Sequence, residues 1–92
     1  MDTLWLLYDE ADLALNVGFA ELMRDRGQAR GLDIMPVTTR ELTLGMDPSG
    51  TPICLRDGVA ARPRAVLSRQ RNSLISFHFE QMGIPVFNSA RV

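Results

Sequence analysis

Ala65-Val66-Leu67-Ser68, then Arg69-Gln70-Arg71-Asn72, then Ser73 to Gly83, then Ile84-Pro85-Val86-Phe87: this stretch reads as strand, polar junction, helix, strand. Ala65–Ser68 is a short apolar run entered from Pro63, which biases the chain before it towards extended backbone. Asn72 or Ser73 supplies a side-chain cap for a helix whose apolar residues Leu74, Ile75, Phe77, Phe79 and Met82 cover most of one side. Gly83 ends that helix in the left-handed conformation, and Ile84–Phe87 is the returning strand. Asn88-Ser89 is poised to cap a further helix.

Working outward, Leu4–Tyr8 is a continuous apolar run without alternation, the pattern of a strand covered on both faces. Asp9-Glu10-Ala11-Asp12 interrupts it and reads as a solvated loop. From about Asn16, Val17, Phe19, Ala20, Leu22 and Met23 fall largely at helical spacing, ending near Gly27 or Gly31. Leu32–Val37 is a second strand, with Pro36 placing it at an edge or near its own end. Asp47-Pro48-Ser49-Gly50 sets a turn between Glu41–Leu44 and Thr51–Arg56, an inserted β-hairpin, and Arg56-Asp57-Gly58 is another turn. The expected fold is one small α/β domain over 1–92, with a short, mainly parallel sheet in three layers and helices on both faces. A ligand on such a sheet sits at the strands' carboxyl ends, which carry Asp9-Glu10, Ser68–Asn72 and Asn88-Ser89.

Composition narrows the chemistry. The chain has 92 residues, 46% of them hydrophobic, with a formal charge of −1. It shows no basic footprint for nucleic acid or an anionic membrane, and neither is expected as a partner. All ten basic residues are arginine, which removes every lysine-dependent phosphate site or Schiff base. The single cysteine, Cys54, forms no internal disulfide, and a reducing, cytoplasmic setting is expected. Neither Cys54 nor the single histidine, His78, has a sequence-local partner for catalysis or metal binding.

The junctions differ in promise. Asp9-Glu10 resembles the magnesium acids of a receiver domain, but the matching later strand ends in Ser68-Arg69 and no lysine is present. The first strand-to-helix junction lacks the glycines of a dinucleotide cradle, and its acids repel a pyrophosphate. Ser68-Arg69-Gln70-Arg71-Asn72 is the preferred ligand wall, because guanidinium forks and a helix N-terminus both favour a carboxylate or phosphate. The competing reading makes both arginines surface ion-pair residues and Asn72 a cap alone.

Pro63-Arg64-Ala65-Val66-Leu67-Ser68-Arg69 and Phe79-Glu80-Gln81-Met82-Gly83-Ile84-Pro85-Val86-Phe87-Asn88-Ser89 together resemble the domain that precedes the ATP-grasp fold. The likeness is to carboxylate–amine ligases, including the ribosomal-protein glutamate ligases and lysine-biosynthesis ligases. It is sequence-level over 63–92 and topological elsewhere. It implies that this chain is the amino-terminal wall of a substrate cleft, inactive alone, and that it continues past Val92 into ATP-grasp domains. Those domains bind ATP and magnesium and form an acyl-phosphate for attack by an amine. On the resemblance, Arg69 orients the carboxylate or phosphate of a small carboxylate or amino-acid substrate. Gln70 and Asn72 assist, and Asn88 and Ser89 form the next junction. The alternative is a non-catalytic, flavodoxin-like module for small-anion binding or dimerisation, with a second copy of the chain as partner.

Overall fold

The computed structural model describes residues 2–88. Its main sheet has four parallel strands in the order β2-β1-β6-β7, where β1 is Asp2–Tyr8, β2 Leu32–Thr38, β6 Ala65–Ser68 and β7 Val86–Asn88. The intervening elements are α1 (Glu10–Leu15), α2 (Val17–Gln28), a 3-10 turn (Thr39–Glu41), β3 (Leu42–Met46), β4 (Pro52–Arg56), β5 (Val59–Ala60) and, between β6 and β7, α3 (Ser73–Gln81). β3, β4 and β5 form a separate antiparallel sheet.

The apolar run of β1 becomes the sheet's centre, paired with β2 from Asp2↔Leu32 to Tyr8↔Thr38 and with β6 from Leu4↔Ala65 to Leu7↔Ser68. Alternation divides it between two cores. Leu6 and Tyr8 meet Ala20 of α2 and Ile34 on one face. Trp5 and Leu7 meet Val37, Val66, Phe79 of α3 and Cys54 of β4 on the other. The Trp5 and Phe79 rings meet edge to face with centroids 6.0 Å apart, a geometry favoured by the ring quadrupoles. The layers are therefore α2, the parallel sheet, and α3 with the small sheet.

The two crossovers run in opposite directions from the centre, β1 to β2 one way and β6 to β7 the other. Because parallel crossovers keep one hand, they lie on opposite faces, as α2 and α3 do. Pro36 lies in β2, an edge strand, where a missing N–H is tolerated.

Local chemistry explains most boundaries. The Asn72 side chain accepts a hydrogen bond from the Leu74 N–H at 2.9 Å, capping α3, and Gly83 at φ +79° terminates it. In the hairpin turn, Asp47 Oδ1 accepts from the Ser49 and Thr51 N–H groups, each at 2.9 Å. Asp57 and Gly58 both have positive φ, the requirement of a two-residue hairpin turn, and join β4 to β5.

Three expectations need correction. Glu10–Leu15 is a short helix rather than a loop: the Asp9 carbonyl accepts from the Leu13 N–H at 3.0 Å, and Leu13 packs on the α2-side core. The buried stripe of α2 is narrow, made by Ala20 and Gly27 with Met23, while Val17, Phe19 and Leu22 are exposed. Small residues draw this helix close to the sheet, so its larger apolar neighbours overhang the contact. In α3, Ile75, Phe79 and Met82 face the core at i, i+4 and i+7, which leaves Leu74 73% and Phe77 57% exposed.

Candidate functional site

The strand order reverses between β1 and β6, and the crevice beyond their carboxyl ends is the place where open α/β sheets bind ligands. A cavity of about 250 Å³ lies there, lined by Tyr8, Asp12, Asn16, Arg69, Gln70 and Arg71. Larger hollows lie elsewhere among the described residues, the least of them, about 330 Å³, beside β4 at Cys54 and Ala61. One, of about 560 Å³, is at the amino ends of β1 and β6, where Arg62 donates to the Met82 carbonyl at 2.5 Å. Another, of about 530 Å³, lies between the end of α2 and β2 and is mainly apolar. A third, of about 570 Å³, adjoins the end of β2, and its one lining arginine, Arg40, is paired with Glu10 at 3.1 Å. Size alone favours these, but the smaller cavity has both the switch-point position and uncommitted positive charge.

That charge is Arg69. Its N–H donates to the Leu7 carbonyl at 2.8 Å, continuing the β6–β1 ladder one residue past the strand and fixing where the side chain starts. Its guanidinium carbon stands 4.9 Å from the Phe19 ring centroid and 5.7 Å from that of Tyr8. Two aromatic rings hold the cation without neutralising it. No carboxylate pairs with it among the described residues.

The other expected site residues divide. Gln70 is buried and structural: its Nε2 donates to Ser68 Oγ and Ser76 Oγ, each at 3.1 Å, and its Oε1 accepts from the Asn72 N–H at 2.6 Å. It ties the end of β6 to α3 and so sets the course of the backbone around Arg69. Asn72 has its carboxamide oxygen on the helix cap. Asn88 closes β7 opposite Ser68, and Ser89 lies outside the described residues. Arg71 joins Arg69 at the cavity. Asn72 therefore caps α3, and Arg69 is in no ion pair among the described residues.

Four residues of the site escape sequence reasoning: Tyr8, Asp12, Asn16 and Phe19. Asn16 stands at the elbow between α1 and α2, where its Nδ2 donates to the Asp12 carbonyl at 2.6 Å. Tyr8 was legible as a polar tip at the carboxyl end of the first strand, but it reads first as the last member of an apolar run. Burial pushes its phenol above the usual range, partly opposed by the Arg69 charge, so the hydroxyl is protonated at neutral pH and has a proton to donate.

His78 and Cys54 lie in the structural layer. A ring nitrogen of His78, Nε2, hydrogen-bonds the Ile53 carbonyl at 2.8 Å, joining α3 to β4. Cys54 is buried in the core and burial raises its thiol to about 11, so it is not a nucleophile at neutral pH. Among the described residues no group of three or more His, Cys, Asp or Glu could hold a metal ion, and no helix is long and apolar enough to cross a membrane. No family model matches the chain, and no curated protein or solved structure matches it.

Proposed function

We propose that this domain holds the carboxylate or phosphate of a small molecule with Arg69, at the crevice between β1 and β6, as one wall of a ligase substrate cleft. The observation that carries the reading is an arginine at the topological switch point, held by aromatic rings and unpaired among the described residues. A cavity of about 250 Å³ suits a small metabolite, being below the common range of about 300–1,000 Å³ for drug-sized pockets. The reaction class, ATP-dependent joining of a carboxylate to an amine, rests on the likeness of residues 63–92 to the domain preceding ATP-grasp. ATP and magnesium do not fit this crevice: the β1–α1 junction, Asp9-Glu10-Ala11-Asp12, has no glycine cradle for a triphosphate, and no group of three or more His, Cys, Asp or Glu among the described residues could hold the metal ion. Under this reading they belong to further domains. The exposed Leu74 and Phe77 on α3 suit a neighbouring domain's contact.

A second reading, a small-anion-binding module, is favoured by the make-up of the site. Two arginines, Arg69 and Arg71, with the Tyr8 hydroxyl outweigh the one carboxylate in the lining, Asp12, and are groups that hold an oxyanion rather than transform it.

The deciding assay is phosphate release from ATP by the polypeptide the gene encodes, across a panel of carboxylates and amines, beside its Arg69→Ala variant. The ligase reading expects amine-dependent release that Arg69→Ala lowers about tenfold or more, the scale of a charged hydrogen bond. Release that is unchanged in the variant refutes the role of Arg69. Anion binding without any release favours the module.

A further inference from the structure

Tyr8 is 1% exposed, and its hydroxyl has no hydrogen-bond partner among the described residues. Folded proteins keep few such groups, because a buried donor without an acceptor loses water and gains nothing in return. Phenylalanine would fill the same space against Leu6, Ala20 and Ile34 without that loss. The orphan stands at the crevice already described: Tyr8 lines the cavity, and Arg69 lies over its ring, 5.7 Å from guanidinium carbon to centroid. Cation and phenol are thus a pair of donors that share no acceptor.

We propose that the Tyr8 hydroxyl is the second donor of this site, hydrogen-bonding the same oxyanion that Arg69 holds by charge. The inference rests on the reading of Arg69 as the anion-holding group. It also narrows the ligand, because one carboxylate or phosphate must reach both a guanidinium and a phenol lying against each other. That requires a compact oxyanion rather than a diffuse or bulky one. In the free protein the hydroxyl is buried without a partner among the described residues, and in the bound one the oxyanion supplies it.

The test compares Tyr8→Phe and Arg69→Gln in this chain, by calorimetric melting and by titration with inorganic phosphate and with succinate, followed through the backbone amide resonances of residues 68–72. Tyr8→Phe is expected to raise the melting temperature of the free protein by about 4 °C or more and to weaken binding of the better probe about tenfold. Arg69→Gln is expected to weaken binding at least as much without that gain. A Tyr8→Phe protein that melts below the parent has lost a partner present in the free state, such as a buried water, which overturns the inference. Parent-like affinity in Tyr8→Phe, with affinity lost in Arg69→Gln, overturns the inference and leaves the Arg69 reading standing. Affinity unchanged in both variants, or a parent that binds neither probe, overturns the anion site itself.

Discussion

Two glycines in α2 should respond to the same substitution with opposite sign. A Cβ built on Gly18 meets nothing within 4 Å, whereas one built on Gly27 stands 2.8 Å from both Cδ1 and Cγ1 of Ile34 and 3.3 Å from the Leu32 carbonyl oxygen. Replacing glycine by alanine within a helix gains about 0.5–1 kcal/mol through backbone entropy and propensity. Gly18 lies in the first turn, so its gain falls at the lower end. At Gly27 the same gain is opposed by overpacking. Carbon atoms prefer about 3.5–4.0 Å, so Ile34, fixed in the core under α2, must retreat by about 0.7 Å or more, and strain of this kind costs about 1–3 kcal/mol. The net expectation is about 0.5 kcal/mol of added stability for Gly18→Ala and about 1 kcal/mol of loss for Gly27→Ala. Near the midpoint each kcal/mol moves Tm by about 4–8 °C in a domain of this size, so the two variants should melt several degrees to either side of the parent. Urea titrations of the three proteins give the free energies directly. If Gly27→Ala is as stable as Gly18→Ala, α2 does not approach Ile34 as closely as described, and the explanation of its narrow buried stripe fails.

Glu41 accepts from the Thr38 N–H at 2.6 Å and from Arg56 at 2.9 Å; burial works to raise its pKa, but these hydrogen bonds and the Arg56 charge outweigh it and hold the carboxyl below its ordinary value. A depressed folded pKa contributes stability that is present above the unfolded value of about 4.3 and is lost as pH falls through the folded one. Urea unfolding should therefore separate Glu41→Gln from the parent at pH 7 and bring them together towards pH 3; a gap that does not narrow refutes the assignment. Cys54, buried with its thiol pushed up to about 11, should react with a disulfide reagent at pH 8 far more slowly in the folded protein than in urea. Equal rates would place the thiol outside the core.

Much of the architecture was written locally. The uninterrupted Leu4–Tyr8 run, the cap at Asn72, the terminator at Gly83 and the Asp47 turn each act over a few residues, and each stands where its chemistry puts it. What was illegible depends on distant neighbours. β5 is only two residues long and exists because Asp57 and Gly58 fold Val59–Ala60 back onto β4. α1 carries two acids in its first turn and owes its place to the docking of Leu13. At the site, Gln70 and Asn72 have the right donors and acceptors for a ligand, but sequence does not say whether the nearby backbone uses them first. Tyr8 shows the opposite ambiguity, since a residue that belongs to the core by its ring belongs to the crevice by its hydroxyl.

The central position of β1 also carries a kinetic consequence. Its partners lie far along the chain, Leu32 opposite Asp2 and Ala65 opposite Leu4, so neither edge of β1 is closed by a local hairpin. Nonlocal parallel pairing of this kind folds slowly, because loop closure precedes the contacts that reward it. During synthesis at about 5–20 residues per second, the interval between the end of β2 and the end of β6 lasts about 2–6 s, and through it the most apolar strand has one flank open. Throughout that interval Leu4–Tyr8 is the segment most exposed to pairing with another nascent chain, and the emergence of Ala65–Ser68 ends the exposure.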